Sequence, residues 1–439
     1  MTRLSRAWLA AVMVPFFCHT APARTIDSPY QVGTWPGFRT AALSYTFDDN
    51  CSNQLAVAVP LFNQYSLKVT LFTVTSWVTS WTGLKNAAAQ GHEIASHTVT
   101  HVSLGGLSNA TQDNELKNSR DAINTNITNQ KCVTMAYPNC VEASDAITSS
   151  YYFAARGCSG AIEPKTPVKF MNISSFVCGS TGSYTTAQSL NGLANQAINS
   201  GGWCILLIHG IDNDGGYSPI ASAVLSSHVH FVDSLKSVLW VSTFGNVARY
   251  VRERDSVSVK ELSSNANSVT LQVTDNLDSS IFNYSVTVRR PLPAGWTQIS
   301  VTQKGQRLNS SIAGQNVMFD VVPNRGDIVL SSSVTSVAAG SRQTSSPAPQ
   351  GFHARVVENS VNFSLPITCS GTMSVELFDA RGTKIAALTS RADESGFLTC
   401  AFPKELFNSG IVVVRLIELR TRMSQNNATE ECFLFSKIR

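Results

Sequence analysis

The stretch Ala42-Leu43-Ser44-Tyr45-Thr46-Phe47-Asp48-Asp49 sets Leu43, Tyr45 and Phe47 in alternation with Ser44, Thr46 and Asp48. That period of two is the pattern of a β-strand. Two adjacent carboxylates close it. Ionising neighbouring carboxylates costs free energy unless a cation or hydrogen bonds compensate. The pair therefore reads either as one acid on a metal beside one acting as a base, or as a solvated Asp-Asp-Asn turn.

Outward from this strand, residues 38–253 alternate strand-like and helix-like pieces. Lys68–Val74, Cys132–Tyr137, Trp203–Ile208 and Leu239–Thr243 read as strands. Leu84–Gln90, Asp113–Asn126, Ser189–Asn199, Ala221–Val238 and Phe244–Arg252 read as helices. Such alternation predicts an α/β fold with a parallel sheet or a (β/α) barrel. In barrels of parallel strands, catalytic groups collect at the C-terminal strand ends.

Two further motifs occupy such positions. In His97-Thr98-Val99-Thr100-His101, two imidazoles four residues apart lie on one face of a helical turn, close enough to share a metal. With a carboxylate from elsewhere they form a set that leaves positions open for water and substrate. His92, just upstream, reads as a packed structural residue. In Ile205-Leu206-Leu207-Ile208-His209-Gly210, an imidazole ends an apolar strand, where it is suited to proton donation near neutral pH. Asp212 and Asp214 follow, either to orient His209 or as loop acids.

The three motifs together resemble the NodB-homology polysaccharide deacetylases, carbohydrate esterase family 4, over residues 38–253. The resemblance implies a distorted (β/α) barrel, with Asp48 as catalytic base, Asp49, His97 and His101 as metal ligands, and His209 as general acid. It implies a divalent ion, Zn²⁺ in the first place with Co²⁺ or Ni²⁺ as substitutes, and an acetylated polysaccharide as substrate. The family's third motif, R-x-P-x-G, has its counterpart in Ala136-Tyr137-Pro138-Asn139-Cys140. Pro138 fits, Tyr137 and Pro138 flank the substrate, and the Asn139 N–H is the candidate oxyanion donor. Ala136 replaces the Arg that orients the base, and Cys140 replaces the Gly. Arg156 is the candidate to supply the missing charge from the next strand. The fourth motif, with its Asp and Trp, is not recognisable. Cys51 and Cys140 would flank the same mouth, as a disulfide or as two separate thiols. Trp77 and Trp81 read as core residues before sugar-stacking ones. N-deacetylation of chitin- or peptidoglycan-like glycans is the first functional reading. The alternatives are an O-acetyl esterase on xylan and a non-catalytic carbohydrate-binding protein on the same scaffold.

The remaining chain is β-rich. Residues 255–335 carry short alternating runs such as Val269–Val273 and read as a β-sandwich. Residues 336–350 read as a Ser/Ala/Gly/Pro linker, and 351–439 as a second sandwich. This last module loosely resembles the sorting or anchoring sandwiches of secreted bacterial carbohydrate enzymes, and a carbohydrate-binding role is open. Residues 1–23 read as a secretory signal, with Arg3 and Arg6 before an apolar run and Ala21-Pro22-Ala23 at the cleavage position. Removing it changes the net charge from +4 to +2. That charge excludes a nucleic-acid binder, no run is long enough for a transmembrane helix, and the expected location is outside the cell or at its surface. Nine of the ten cysteines would remain, in a compartment that permits disulfides; Cys369 and Cys400 are one candidate pair.

Overall fold

The chain is described from a computed structural model, covering residues 24–332 and the strands between 353 and 436. The leader, the linker and Cys369 lie outside the described residues. Two compact units divide between Thr335 and Ser336.

In the first unit, β1 (Gln31–Val32) precedes a parallel sheet. That sheet comprises β2 (Ala41–Asp48), β3 (Thr70–Thr73), β4 (Glu93–Ser96), β5 (Thr134–Ala136), β6 (Ala154–Arg156), β7 (Phe176–Val177), β8 (Trp203–Ile208) and β9 (Leu239–Val241). The order is β6-β5-β4-β3-β2-β8-β7, with β9 also paired to β2. Residues 41–43 pair with β9 and residues 46–48 with β3, while β8 pairs with residues 42–47. One edge of β2 is thus shared by two strands, which splays the barrel. Between β6 and β8 the ring is closed by a single segment. The N–H of Ala155 donates to Phe170 at 2.8 Å, that of Gly157 to Ile173 at 2.8 Å, and that of Cys178 to Leu207 at 2.8 Å.

Strand parity decides what faces the interior. Leu43, Tyr45 and Phe47 join the outer core, beneath the helices, together with Leu71, Ile94, Met135, Ala155, Leu206 and Ile208. The opposite parity puts Ala42, Phe72, Ala95, Ala136, Ala154, Trp203 and Ile205 in the inner core. The same parity carries Asp48 and Arg156, the last residues of β2 and β6, and His97 and His209, one step past the ends of β4 and β8, to the inner face at the barrel mouth. Below them Phe72 and Trp203 pack on Phe244, at ring centroid distances of 5.7 and 5.3 Å.

Among the described residues, seven α-helices accompany the sheet: α1 (Val59–Gln64), α2 (Thr82–Ala89), α3 (Asn109–Asn126), α4 (Asp145–Ser149), α5 (Ala187–Ser200), α6 (Ser222–Ser234) and α7 (Phe244–Ser256). Helix α5 shows the local rules at work. Thr186 and Ser189 form a capping box, Leu190, Leu193, Ala194 and Ala197 supply its buried face, and Gly201 ends it in the left-handed region. Each buried leucine contributes about 1.5–3 kcal/mol. The expected helix over Ala221–Val238 is shorter: it ends at Ser234, with the N–H groups of Leu235 and Val238 bonded back in tight turns.

The first sandwich has strands β10 (Ser258–Ser264), β11 (Ser268–Thr274), β12 (Val286–Pro291), β13 (Ile299–Gln303), β14 (Gln306–Arg307), β15 (Ser310–Ala313), β16 (Asn316–Val321) and β17 (Ile328–Ser332). They form two antiparallel sheets, β1-β12-β16-β15 and β10-β11-β17-β13-β14. The sandwich thus takes a strand from before the barrel, which the boundary expected at residue 255 omits. Its core is continuous with the inner face of the barrel and with α7. The second unit holds β18 (His353–Val357), β19 (Ser360–Pro366), β20 (Thr372–Phe378), β21 (Lys384–Arg391), β22 (Phe397–Pro403), β23 (Ile411–Leu419) and β24 (Glu430–Ser436), as sheets β18-β19-β22 and β21-β20-β23-β24. No helix among the described residues is long and apolar enough to cross a membrane.

Candidate metal centre and active site

Backbone in the left-handed region marks the mouth of the barrel. Of the twelve non-glycine residues with positive φ among the described residues, six are Asp49, Asn50, Thr98, His101, Asn139 and Cys140. All six follow the C-terminal ends of β2, β4 or β5, where such conformations aim side chains across a site at a cost in local strain.

The His97–His101 segment is therefore not the expected helical turn. It is a loop leaving β4, with Thr98 at φ 66° and His101 at φ 62°. Glu115 of α3 holds it by accepting from the N–H groups of Val99 (2.8 Å) and Thr100 (3.0 Å) and from the Thr100 hydroxyl (2.8 Å). These bonds satisfy polar groups that a helix would satisfy internally.

The loop still brings its two imidazoles to one carboxylate. Asp49 Oδ1 lies 3.4 Å from His97 Nε2 and 3.2 Å from His101 Nε2. His97 Nδ1 lies 2.9 Å from the Ala136 carbonyl, which assigns its proton to that side and leaves Nε2 as a lone-pair donor. Burial raises the Asp49 carboxyl, but the facing imidazoles of His101 and His97, with His209 nearby, outweigh burial and hold the acid far below the usual carboxylate range. The facing Asp49 carboxylate raises His101, against its partial burial. The ligand atoms of Asp49, His97 and His101 fall within 4.8 Å of one another, and Asp49 Oδ1 is buried without a hydrogen-bond donor. Two imidazole nitrogens and one carboxylate oxygen converging on an unsatisfied point fit a divalent transition metal.

Asp48 is 2% exposed. The Arg156 guanidinium donates to its Oδ2, and its Oδ1 is buried without a partner. Arg156 itself is 1% exposed, bonds Ser175 Oγ at 3.2 Å and lies over the Phe72 ring at 5.2 Å. Gln54 Nε2, which sequence reading passed over, donates to the Asp48 carbonyl and to the His209 carbonyl at 3.0 Å, tying the ends of β2 and β8 together.

His209 Nε2 lies 3.9 Å from Asp49 Oδ2. Burial lowers its pKa, while Asp48 and Asp49 pull it back up. Its Nδ1 is buried without a partner. Neither following acid orients it: Asp212 Oδ1 accepts from the Ser222 N–H at the start of α6 (2.8 Å), and Asp214 accepts from Ile211 N (3.1 Å) and Gly216 N (3.0 Å). Glycine suits position 210 because a Cβ there would sit 3.0 Å from the Gly216 backbone as well as 2.8 Å from Asp214 Oδ1.

Asp48, Asp49, His97, His101, Tyr137, Asn139, Cys140, Leu207, His209 and Tyr217 are among the residues lining a cavity of about 470 Å³. Tyr137 turns its hydroxyl away, onto Thr148 Oγ1 at 3.2 Å. Pro138 is buried and opens the turn that presents Asn139. Cys140 pairs with Cys158 in a disulfide, whereas Cys51 is a free thiol pushed up to about 12 by burial, so the Cys51–Cys140 pairing is corrected. His92 is packed as expected: its Nδ1 accepts from Val69 N at 3.2 Å, and burial lowers it to about 4. Trp81 packs against the core, but Trp77 is exposed. Glu115 and Tyr217 carry no local sequence signal, because each is brought to the site by tertiary structure.

Residues 38–151 match the family model described as polysaccharide deacetylase, and the chain carries a domain of that family. It is 28% identical over 324 residues to a gellan lyase of a Bacillus species, which covers 68% of this chain and 13% of the lyase. It is 29% identical over 98 residues to YxkH of Bacillus subtilis (strain 168), a protein assigned to the polysaccharide deacetylases, covering 21% of this chain and 35% of YxkH. The chain thus spans well under two thirds of both curated relatives. Among solved structures, a family 4 acetyl xylan esterase from Clostridium thermocellum with a cobalt ion is 18% identical, at 47% coverage of this chain, 89% of the other and a TM-score of 0.36.

Proposed function

We propose that the chain is an exported hydrolase that removes acetyl groups from N-acetylated polysaccharide. The observation that carries the reading is the convergence of Asp49, His97 and His101 beside a second, buried carboxylate, Asp48. The Cys140–Cys158 disulfide supports export, since such bonds persist in oxidising compartments.

Asp49, His97 and His101 would hold a divalent ion, Zn²⁺ in the first place. Such an ion supplies Lewis acidity and lowers the pKa of water. Asp48, held by Arg156, takes the proton of the attacking water through its free Oδ1. The Asn139 N–H donates to the oxyanion that forms on the acetyl carbon. His209 delivers a proton to the departing amine, which is a very poor leaving group as an anion. The products are acetate and a free amino sugar.

The test is acetate release from N-acetylglucosamine oligomers by metal-free protein before and after Zn²⁺ or Co²⁺ is added, with acetylxylan as comparator. Metal-dependent release from the oligomers, lost in Asp48→Asn, is the expected result. Release from acetylxylan alone moves the substrate to O-acetyl glycans. No release from either, with metal bound and the fold intact, defeats the reading.

A further inference from the structure

Among the described residues, no side chain hydrogen-bonds the His209 ring: its Nδ1 is buried without a partner, and its Nε2 stands 3.9 Å from Asp49 Oδ2. The Asp48 carboxylate, by contrast, is held by Arg156. The main chain is what fixes these two residues relative to each other. The register of β2 with β8 ends at Phe47 opposite Ile208. Asp48 and His209 are the next residues along, past the last paired position. There a side-chain amide continues the pairing. Gln54 Nε2 donates to the Asp48 carbonyl and to the His209 carbonyl, the latter at 3.0 Å. The Cys51 thiol adds a long contact to the Asp48 carbonyl at 3.8 Å.

Gln54 is itself held in place. It is buried and opens a π-helical turn, Gln54–Ala58, a kind of turn that recurs at functional sites. The segment before it is laced to two other strand ends. The Asn50 side chain accepts from the Val74 N–H at 2.9 Å and donates to the Val74 carbonyl at 3.1 Å, just past β3. The Asn53 side chain donates to the Ile211 carbonyl at 2.9 Å, and the Asn53 N–H donates to Asp214 Oδ2 at 3.3 Å, in the loop after β8. A primary amide carries two N–H donors on one nitrogen, enough for both carbonyls. A methionine of similar bulk would offer none.

We propose that Gln54 is a positioning residue that sets the separation between the proton acceptor Asp48 and the proton donor His209. This rests on the deacetylase reading. In that reaction the two act on one tetrahedral centre, Asp48 on the attacking water and His209 on the departing nitrogen. Both must reach it together, and a misplacement of about 1 Å can cost about 100-fold in rate. Without the bridge, the ends of β2 and β8 drift independently. Asp48 keeps its hold on Arg156, and His209 has no such tether. The loss therefore falls on the step that needs the acid.

The test compares two leaving groups on the Zn²⁺-loaded protein. N-acetylglucosamine oligomers release an amine that needs a proton. A nitrophenyl acetate releases a phenolate that leaves as an anion, so its hydrolysis needs the base without the acid. In Gln54→Met, kcat on the oligomers is expected to fall at least about 30-fold with little change in KM, and kcat on the aryl ester by no more than about threefold. Zn²⁺ affinity should stay within about threefold of the wild type. Gln54→Asn, whose amide is one methylene short, should fall between the two. Equal losses on both substrates would make Gln54 a general support of the fold, and would overturn the proposal. So would unchanged rates in Gln54→Met, or a loss that follows Zn²⁺ affinity. Should Gln54→Met fail to fold, the ratio of the two rates in Gln54→Asn decides in the same way. A wild type that releases acetate from neither the oligomers nor acetylxylan defeats the deacetylase reading itself.

Discussion

Arg156 reaches Asp48 from across the barrel mouth, its guanidinium donating to the carboxylate Oδ2 while both side chains are buried. Its register partner on β5 is Ala136. The cation therefore stands beside the position where the resembled family's motif places its arginine, one strand over. Breaking a buried pair by removing one partner leaves an uncompensated charge, at a cost of about 3–5 kcal/mol. Arg156→Met should lower the melting temperature accordingly and reduce acetate release at least about a hundredfold. The double variant Arg156→Met, Asp48→Asn should regain most of the stability and none of the activity. A stable, fully active Arg156→Met protein would remove Arg156 from the site.

The metal site yields an ordering. His97 is 2% exposed and its tautomer is set by the Ala136 carbonyl, whereas His101 is partly exposed and braced by Trp77. Losing an outer hydrogen bond to a metal ligand costs roughly 10–100-fold in affinity, so losing a ligand should cost more. Asp49→Ala and His97→Ala should each weaken Zn²⁺ binding by more than about 100-fold, and His101→Ala by less than His97→Ala. Competition with a chromophoric chelator reads this directly. Stoichiometric tight binding in Asp49→Ala would sink the ligand set.

The Cys140–Cys158 disulfide joins the residue after Asn139 to the residue two past Arg156, at a sequence separation of 18. Closing a loop of that size contributes about 3 kcal/mol in the chain-entropy account. The paired Cys140→Ser, Cys158→Ser variant should therefore melt lower. It should also lose activity at temperatures where its circular dichroism is still native, because Asn139 and Arg156 both lose their tether. Unchanged activity below the melting transition would confine the bond to a stabilising role.

The barrel was legible because β2 and β8 read as strands in either of two ways, by alternation or by an unbroken apolar run. The candidate ligand residues were legible by type and spacing, but their local structure was not. A separation of four suits a helical turn, and it equally suits a loop in which Thr98 and His101 take positive φ; spacing alone does not separate the two. Arg156 was legible only through the gap at Ala136, since pairing of β5 with β6 is what makes the two positions neighbours. The partner of Cys140 was not legible, because proximity in sequence motifs does not determine pairing. Tyr217 and Gln54 were invisible for the same reason: each meets the site through a contact more than a hundred residues away or at a loop closure that no periodicity encodes.

Glu253 lies fully buried near the end of α7, where it accepts from the Tyr284 N–H at 2.8 Å while its other oxygen has no partner. Burial raises its pKa from 4.5 to about 8. A carboxyl raised in the folded state contributes stability that is complete below about 4.5 and is lost as pH rises through about 8. His228, also fully buried, is lowered by burial from 6.5 to about 4. It has the opposite sign: its contribution is complete above about 6.5 and is lost as pH falls toward 4. Between about 4.5 and 6.5 the two trends oppose each other, and above 6.5 Glu253 acts alone. The loss above 6.5 is of order 2 kcal/mol as an upper bound, for the roughly 1.5 pH units that remain below about 8. Glu253→Gln keeps the acceptor for Tyr284 and removes the titration. Wild-type stability in denaturant melts should fall between pH 6.5 and 9, while that of Glu253→Gln stays level and exceeds it at pH 9. Parallel curves for the two proteins would show that Glu253 is ionised in the fold at neutral pH, with water or a rearranged partner reaching the free oxygen.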